Sequence, residues 1–242
     1  MLTGNTEGGL MNPLTKGKVK TVYAVDNVNH VLIEYHDKVT AGNGEKEAKP
    51  LNKGGICCQI SGLLFKYLEK EGIRTHHIDT IGHTMLCHKA EVLPVEVVVR
   101  NYAAGSFVRQ TPFEQGLKFE YPLVEFYLKD DDKNDPLLNE PRLKLMGIYG
   151  YQKDKICIEA VKVSKVLTRV FEVIGLDLVD FKLEFAFNEG ELMVVDEISP
   201  DSMRLWKKGT QQSMDKDLFR KDTGDIMEAY KKILMDLQGV LQ

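Results

Sequence analysis

Three charged side chains, Asp180, Lys182 and Glu184, lie two apart in the run Leu178–Phe187, LVDFKLEFAF, interleaved with Val179, Phe181, Leu183, Phe185 and Phe187. Side chains alternate faces along a strand, so the pattern predicts apolar residues turned into a core and an acid–base–acid row on the other face. Asn188-Glu189-Gly190-Glu191 reads as a turn, and Leu192–Ser199 as a returning strand that carries another carboxylate, Asp196. Turn length decides where that carboxylate goes. An odd-length turn, such as Glu189-Gly190-Glu191, sets Glu184 directly opposite Asp196, whereas an even-length turn points them to opposite faces. Two carboxylates opposed at ~5 Å repel by about 3 kcal/mol at an effective dielectric near 20. A hard divalent cation between them removes that repulsion, and Mg²⁺ is commonly held by one or two carboxylates together with substrate phosphates. Alternatively, Lys182 neutralises one carboxylate as an ordinary surface ion pair; the pattern alone leaves both readings open.

Ser199-Pro200-Asp201-Ser202-Met203-Arg204 leaves this hairpin through a proline turn and offers an acid, hydroxyls and a guanidinium. Arg suits planar, bidentate recognition of phosphate or carboxylate, although a solvated turn with a capping arginine has the same composition. Trp206, the only tryptophan, reads as a packing residue. Thr15-Lys16-Gly17-Lys18-Val19-Lys20 puts Lys18 and Lys20 two apart on a strand and so on one face, with Gly17 permitting close backbone approach. That arrangement suits a polyphosphate lying over a strand pair, yet it is not a Walker loop, because GxxxxGK[ST] is absent. Arg100-Asn101-Tyr102-Ala103-Ala104-Gly105-Ser106 ends an apolar strand in an arginine, small residues and a serine, partners suited to a terminal phosphate.

The elements that must hold these groups follow from periodicity. Lys18–Val25 and His30–Tyr35 read as an antiparallel pair around the turn Asp26–Asn29, and Gly42–Lys53 as a polar loop. Gly55–Glu71 is an amphipathic helix with a stripe of Ile56, Ile60, Leu63, Leu64, Tyr67 and Leu68 and a stop at Gly72. Short strands are expected near 73–79, 84–91 and 95–101, with Pro94 as the boundary between lobes. Phe107–Glu140 reads as irregular, its Asp130-Asp131-Asp132 run as a solvated loop, Lys153–Ile174 as a long helix ending at Gly175, and Asp225–Leu237 as a closing helix. The outline is α+β: a strand-rich lobe over 11–93 and a larger mixed lobe over 94–242. Residues 1–10, MLTGNTEGGL, read as a leader or disordered extension, with a native start at Met11.

Composition narrows the function classes. The chain has 242 residues, 43% hydrophobic and 28% charged, which is ordinary for a soluble globular protein with a sizeable core. A formal net charge of -4 argues against a nucleic-acid-binding surface while leaving room for local basic pockets. No apolar run reaches the ~18–20 residues a membrane span needs. The four cysteines form no CxxC or zinc spacing and read as core packing in a reducing cytosol, and the six histidines are scattered. The pieces assemble into a site for ATP, Mg²⁺ and a second phosphorylated substrate. From the residues alone the γ-phosphate could go to a hydroxyl, as in a small-molecule kinase, or to a carboxylate, as in an acyl-phosphate ligase. A nucleotide-sensing module without turnover is a further alternative, against which the co-occurrence of Lys182, Glu184 and Asp196 weighs.

At these residues the sequence closely resembles the SAICAR synthetase family (phosphoribosylaminoimidazole-succinocarboxamide synthases). The matching blocks are KGKVKTVY, VEVVVRNYAAGS, DPLLNE, LVDFKLEF, DEISPDSMRLW and MDKDLFR, in order from about Leu14 to the C-terminus. The resemblance implies a two-lobed α+β fold with the ATP site between the lobes. It implies a cytoplasmic, homo-oligomeric ligase of de novo purine synthesis that joins carboxyaminoimidazole ribonucleotide (CAIR) to L-aspartate with ATP. Carried over by position, Lys18 and Lys20 would hold ATP phosphates, backbone near Val92 and Leu93 would meet adenine, and Glu184 and Asp196 would bind Mg²⁺. Arg100, Ser106 and Arg204 would grip the CAIR phosphate. Asp180 and Lys182, the catalytic pair, would line the imidazole-carboxylate end, with Lys216 and Arg220 nearby and Asp135 orienting substrates. After Pro200-Asp201 the family often has Gly-Ser where this chain has Ser202-Met203.

Overall fold

A computed structural model of the chain describes residues 13–241, so the expectations for residues 1–10 and Met11 fall outside it. The first elements are β1 (Pro13–Lys16), β2 (Lys20–Ala24) and β3 (His30–Tyr35), followed by a small pair, β4 (Val39–Ala41) and β5 (Lys46–Ala48). Gly42–Lys53 is therefore not wholly a loop: its first half closes a hairpin. Lys18 also departs from expectation. It lies in the bend between β1 and β2, where the Gly17 N–H donates to the Lys20 carbonyl at 2.8 Å, so Lys18 and Lys20 do not share one strand face.

Helix α1 (Lys53–Lys70) starts two residues earlier than its apolar stripe suggests, because its cap comes from another segment. The Asp37 carboxylate accepts the Asn52 and Gly54 amides at 2.7 and 2.9 Å, satisfying donors that a helix start leaves without partners. Ile56, Ile60, Leu64 and Leu68 are buried along one face, and the helix packs on β3 and on two further strands, β6 (His77–Ile81) and β7 (Thr84–His88). The order β1-β2-β3-β7-β6 makes one antiparallel sheet. At the α1 start the helix lies so close to β3 that a Cβ on Gly54 would sit 2.5 Å from the Tyr35 carbonyl oxygen. Gly54→Ala is expected to destabilise the protein by about 2 kcal/mol, read as a lower urea midpoint, since backbone, not a flexible side chain, must give way. An unchanged midpoint would mean the α1–β3 contact yields freely.

The chain then crosses to a second sheet through β8 (Glu91–Val92) and β9 (Val95–Tyr102). A short helix, α2 (Ser106–Gln110), leads to β10 (Lys118–Leu128), and α3 (Glu140–Leu145) precedes the long helix α4 (Gly150–Val173). The segment read as irregular thus contains an 11-residue strand. Its Pro122 argues against a strand, but the strand lies at the sheet edge and its register against β9 shifts between Lys118 and Leu123, where a missing amide is tolerated.

The 13-residue strand β11 (Leu176–Asn188) is the spine of this sheet. It pairs with β9 and β8 along one edge, and along the other with β12 (Glu191–Val195) and β13 (Met203–Lys207). Phe181, Leu183 and Phe185 enter the main core as the alternation predicts. Val179 does not: a bulge between Leu178 and Asp180 shifts the parity, so Leu176 and Leu178 face that core while Val179 packs with Ala104 and Trp206. Helices α5 (Asp217–Arg220) and α6 (Ile226–Leu241) close the chain, α6 lying on α1. The four cysteines are free thiols, three of them buried in the core. Among the described residues no helix is long and apolar enough to cross a membrane.

Candidate active site

Register in the β11–β12 hairpin decides between the two turn lengths. Glu184 opposes Val195 and Asn188 opposes Glu191, so the turn is the two-residue Glu189-Gly190, with φ of 53° and 80° as a twist-matched hairpin turn requires. Glu184 is therefore not opposite Asp196, and alternation alone would point Asp196 to the other face. Asp196 nonetheless reaches the same site, because it follows the last residue of β12 with φ of 72°. That left-handed step turns its carboxylate back toward β11, at a typical strain of about 1–3 kcal/mol.

The result is a mixed cluster of lysines and carboxylates. Lys182 Nζ lies 2.9 Å from Glu96, 3.0 Å from Glu184 and 3.7 Å from Asp196. Lys20 donates to Asp196 and lies 3.7 Å from Glu197, and Lys129 donates to Glu184 at 2.6 Å. Burial works against charge at both centres. It is outweighed by Lys20 and Lys182, which hold the Asp196 carboxyl below the usual range, and by Asp196, Glu184 and Glu96, which hold Lys182 well above its own. Because lysines stand between the carboxylates, no group of three metal-ligating side chains is already assembled among the described residues. Glu96, Lys129 and Glu197 escaped sequence reasoning. Glu96 had a signal, since it shares the parity of Arg100 on β9; Lys129 had none, because it follows a strand that reads as irregular.

Beside this cluster opens a cleft of about 660 Å³. Lys18, Asp135, Lys182, Lys216 and Arg220 line it, and so do Arg100, Ser106, Asp180 and Arg204. Lys20, Glu184 and Asp196 are not on its wall: Glu184 and Asp196 connect to it through Lys182, and Lys20 through Glu197. Val92 and Leu93 lie against β11, where the Leu93 amide donates to the Phe185 carbonyl at 2.9 Å. Strand alternation then turns the Val92 N–H and C=O to the opposite edge. His76 adds an unexpected feature. It is buried, it lies within the electrostatic reach of Asp196 and Lys20, burial pushes it down to about 3, and neither ring nitrogen has a hydrogen-bond partner.

Asp180 holds the two arginines. Arg100, itself 2% exposed, donates Nη1 to Asp180 at 3.0 Å, Nε to Glu125 at 2.6 Å, and Nη2 to Ser106 and Tyr127 at 3.1 and 3.2 Å. Arg204 donates Nη1 to both Asp180 oxygens, at 3.0 and 2.9 Å, and Nε to Asp217 at 3.4 Å. Gly105 makes this possible twice over: its φ is 60°, and a Cβ there would lie 2.5 Å from Arg204 Nη2. Asp217 also pairs with Arg220 at 2.5 Å, and burial pushes the Lys216 ammonium down. Asp135 closes its own loop, its carboxylate accepting the Asp130 amide at 2.9 Å.

Two contacts lock the frame around the cleft. Lys53 at the α1 start pairs with Asp201, whose other oxygen accepts the Tyr230 hydroxyl of α6 at 2.8 Å. Lys46 of β5 donates to the Phe219 carbonyl and to Asp222, each at 2.6 Å, tying the β4–β5 hairpin to α5.

Comparison with known proteins bears on this geometry. The sequence profile of the SAICAR synthetase family matches residues 13–237. A phosphoribosylaminoimidazole-succinocarboxamide synthase of Methanocaldococcus jannaschii is 45% identical over 232 residues, 95% of each chain. One from Prochlorococcus marinus is 46% identical over 233 residues, 93% of this chain and 96% of that protein. Among solved structures, a SAICAR synthetase in complex with ADP superposes with a TM-score of 0.90 at 40% identity, covering 93% of this chain and 97% of that one.

Proposed function

The chain belongs to the SAICAR synthetase family and is an ATP-dependent ligase of purine biosynthesis, and we propose that it joins the carboxylate of CAIR to the amine of L-aspartate through an acyl phosphate. One observation carries the reading: a lysine–carboxylate cluster adjoins, through Lys182, an arginine pair held by one buried carboxylate. The first suits a metal-bound polyphosphate, and the second suits the phosphate of a ribonucleotide.

A carboxylate is a poor acyl donor because oxide is a hopeless leaving group. One CAIR carboxylate oxygen attacks the γ-phosphorus of ATP, the bond to ADP breaks, and a mixed anhydride forms. The aspartate amine then attacks the acyl carbon, phosphate leaves, and the amine loses its proton as the amide forms. In this reading Lys18 and Lys20 hold the polyphosphate. The outward backbone edge of Val92 meets adenine, Leu93 being occupied by Phe185.

Glu184 and Asp196 would hold Mg²⁺, and their chemistry fits: they are hard oxygen donors, and Lys20 and Lys182 keep Asp196 ionised. Bound Mg²⁺ supplies charge neutralisation at the phosphate oxygens. Phosphate oxygens would draw Lys20 and Lys182 from their present partners, leaving Glu184 and Asp196 available to hold the cation. Arg100, Ser106 and Arg204 take the CAIR phosphate, with Lys216 and Arg220 beside them. Lys182, between cluster and cleft, steadies the reacting carboxylate, and Asp135 orients the acceptor side. The protein contributes positioning, charge neutralisation and exclusion of water, which would otherwise consume the acyl phosphate. The cytoplasm is the compartment this chemistry implies.

The test is ADP release with ATP, Mg²⁺, CAIR and L-aspartate, repeated with each omitted. Full-rate release that needs both CAIR and aspartate is the expected result. Full-rate release without aspartate would make the protein a kinase or a leaky hydrolase and overturn the reading.

A further inference from the structure

Between β13 and α5 the chain buries a carboxylate that the mechanism above does not use. Asp215 is 0% exposed. One of its oxygens accepts the Leu205 amide at 2.8 Å and the other accepts the Asp217 amide at 2.6 Å. Those amides belong to the residues immediately after Arg204 and Lys216. The same stretch is stitched to β13 by the Met214 amide, which donates to the Leu205 carbonyl at 2.8 Å, and by a bridge between Ser213 and Trp206. We propose that Asp215 is a positioning residue, which fixes the spacing between Arg204 and Lys216 and thereby the grip on the phosphorylated substrate. This rests on the reading of Arg204 and Lys216 as substrate contacts.

Residue type supports the assignment. Only an acceptor at both oxygens satisfies two converging amides, and an ionised carboxylate makes each bond charge-assisted. An asparagine of the same shape keeps one bond and turns an N–H₂ donor on the other amide. The groups facing Asp215 do not neutralise its charge fully. They are Arg204 from β13, which also serves Asp180 and Asp217, Asp217 from α5, and Tyr230 from α6. Burial pushes the Asp215 carboxyl up to about 7. As pH falls through neutrality the group gains a proton, one oxygen becomes a hydroxyl, and one amide loses its strong acceptor. Substrate grip then weakens on the acid side and is restored on the alkaline side.

The test compares wild type, Asp215→Asn and Arg204→Ala, measuring KM for CAIR and for ATP from about pH 6 to about pH 8. Asp215→Asn is expected to raise the CAIR KM about tenfold, the loss of one charge-assisted bond, with the ATP KM within about twofold. It should also lose the enzyme's inflection near neutrality while keeping the part due to the substrate phosphate. An unchanged CAIR KM in Asp215→Asn, with Arg204→Ala raising it, overturns the positioning role alone. An unchanged KM in Arg204→Ala overturns the substrate-contact reading and the proposal with it. Should Asp215→Asn not fold, CAIR affinity of the wild-type protein is measured over the same range. Weakening on the acid side beyond what the phosphate's own titration explains supports the proposal, and affinity that follows the phosphate alone overturns it.

Discussion

Asp196→Asn is expected to lower turnover at least ~100-fold, about 2.7 kcal/mol of barrier, while the protein remains folded. The substitution isolates charge from conformation. Asp196 sits at φ 72°, and asparagine is the other common side chain that tolerates this region, so the backbone step that aims the group survives. What is lost is the negative charge that Lys20 and Lys182 both face. Without it the two lysines repel each other, and an amide is a poor substitute as a ligand for Mg²⁺. Glu184→Gln should behave alike for a related reason, since it removes the charge that Lys129 and Lys182 share and leaves Lys182 with Glu96 and Asp196. The measurement is kcat at saturating Mg²⁺ with a urea midpoint taken in parallel. Near-normal turnover at a normal midpoint would remove Asp196 from the metal site. Asp196→Gly adds a control: it relieves the backbone strain yet should be as inactive as Asp196→Asn.

The same residue shows where reading a sequence stops. Face assignment along β11 follows from period two, so Asp180, Lys182 and Glu184 were legible as a row, and Phe181, Leu183 and Phe185 as core. Helices α1 and α4 were legible from their stripes and from Gly72 and Gly175, both at positive φ after the last turn. An odd turn brings Glu184 and Asp196 together by register alone, whereas the structure brings both to Lys182 with an even turn and one left-handed residue. No periodicity encodes a single φ. Val179 was misplaced for a similar reason, a bulge being a local change of parity. The strand β10 was hidden by Pro122, whose penalty disappears only because the strand is an edge, and Lys129 was hidden with it. Residues that act through backbone amides, Asp37 and Asp215, carry no spacing signature, because their partners are set by tertiary approach.

The mixed cluster also explains why lysines and carboxylates alternate there instead of segregating. A row of bare carboxylates would be self-repelling before a cation arrives, and a row of bare lysines before phosphate does. Interleaving Lys20, Lys182 and Lys129 with Asp196, Glu184 and Glu96 leaves each buried charge paired in the ligand-free chain. Under the proposed assignment a nucleotide with its cation would exchange one set of pairs for another without creating buried charge, which would keep the desolvation cost of binding low.

The largest stability effect is expected at Asp180. This carboxylate is 3% exposed and serves both Arg100 and Arg204. Asp180→Asn keeps its shape but removes the anion between two guanidinium groups, and breaking a buried pair in this way typically costs about 3–5 kcal/mol. Arg100 retains Glu125 at 2.6 Å and Arg204 retains Asp217, so the loss should fall toward the lower end of that range. A phosphate dianion placed between the same arginines would replace the missing charge. Saturating CAIR should therefore raise the thermal midpoint of Asp180→Asn by more than it raises that of wild type, even if its absolute affinity is lower. This outcome assigns Asp180 to holding the arginines, in place of a direct part in the chemistry beside Lys182. A variant as stable as wild type, with normal CAIR affinity and no turnover, would put Asp180 back among the reacting groups.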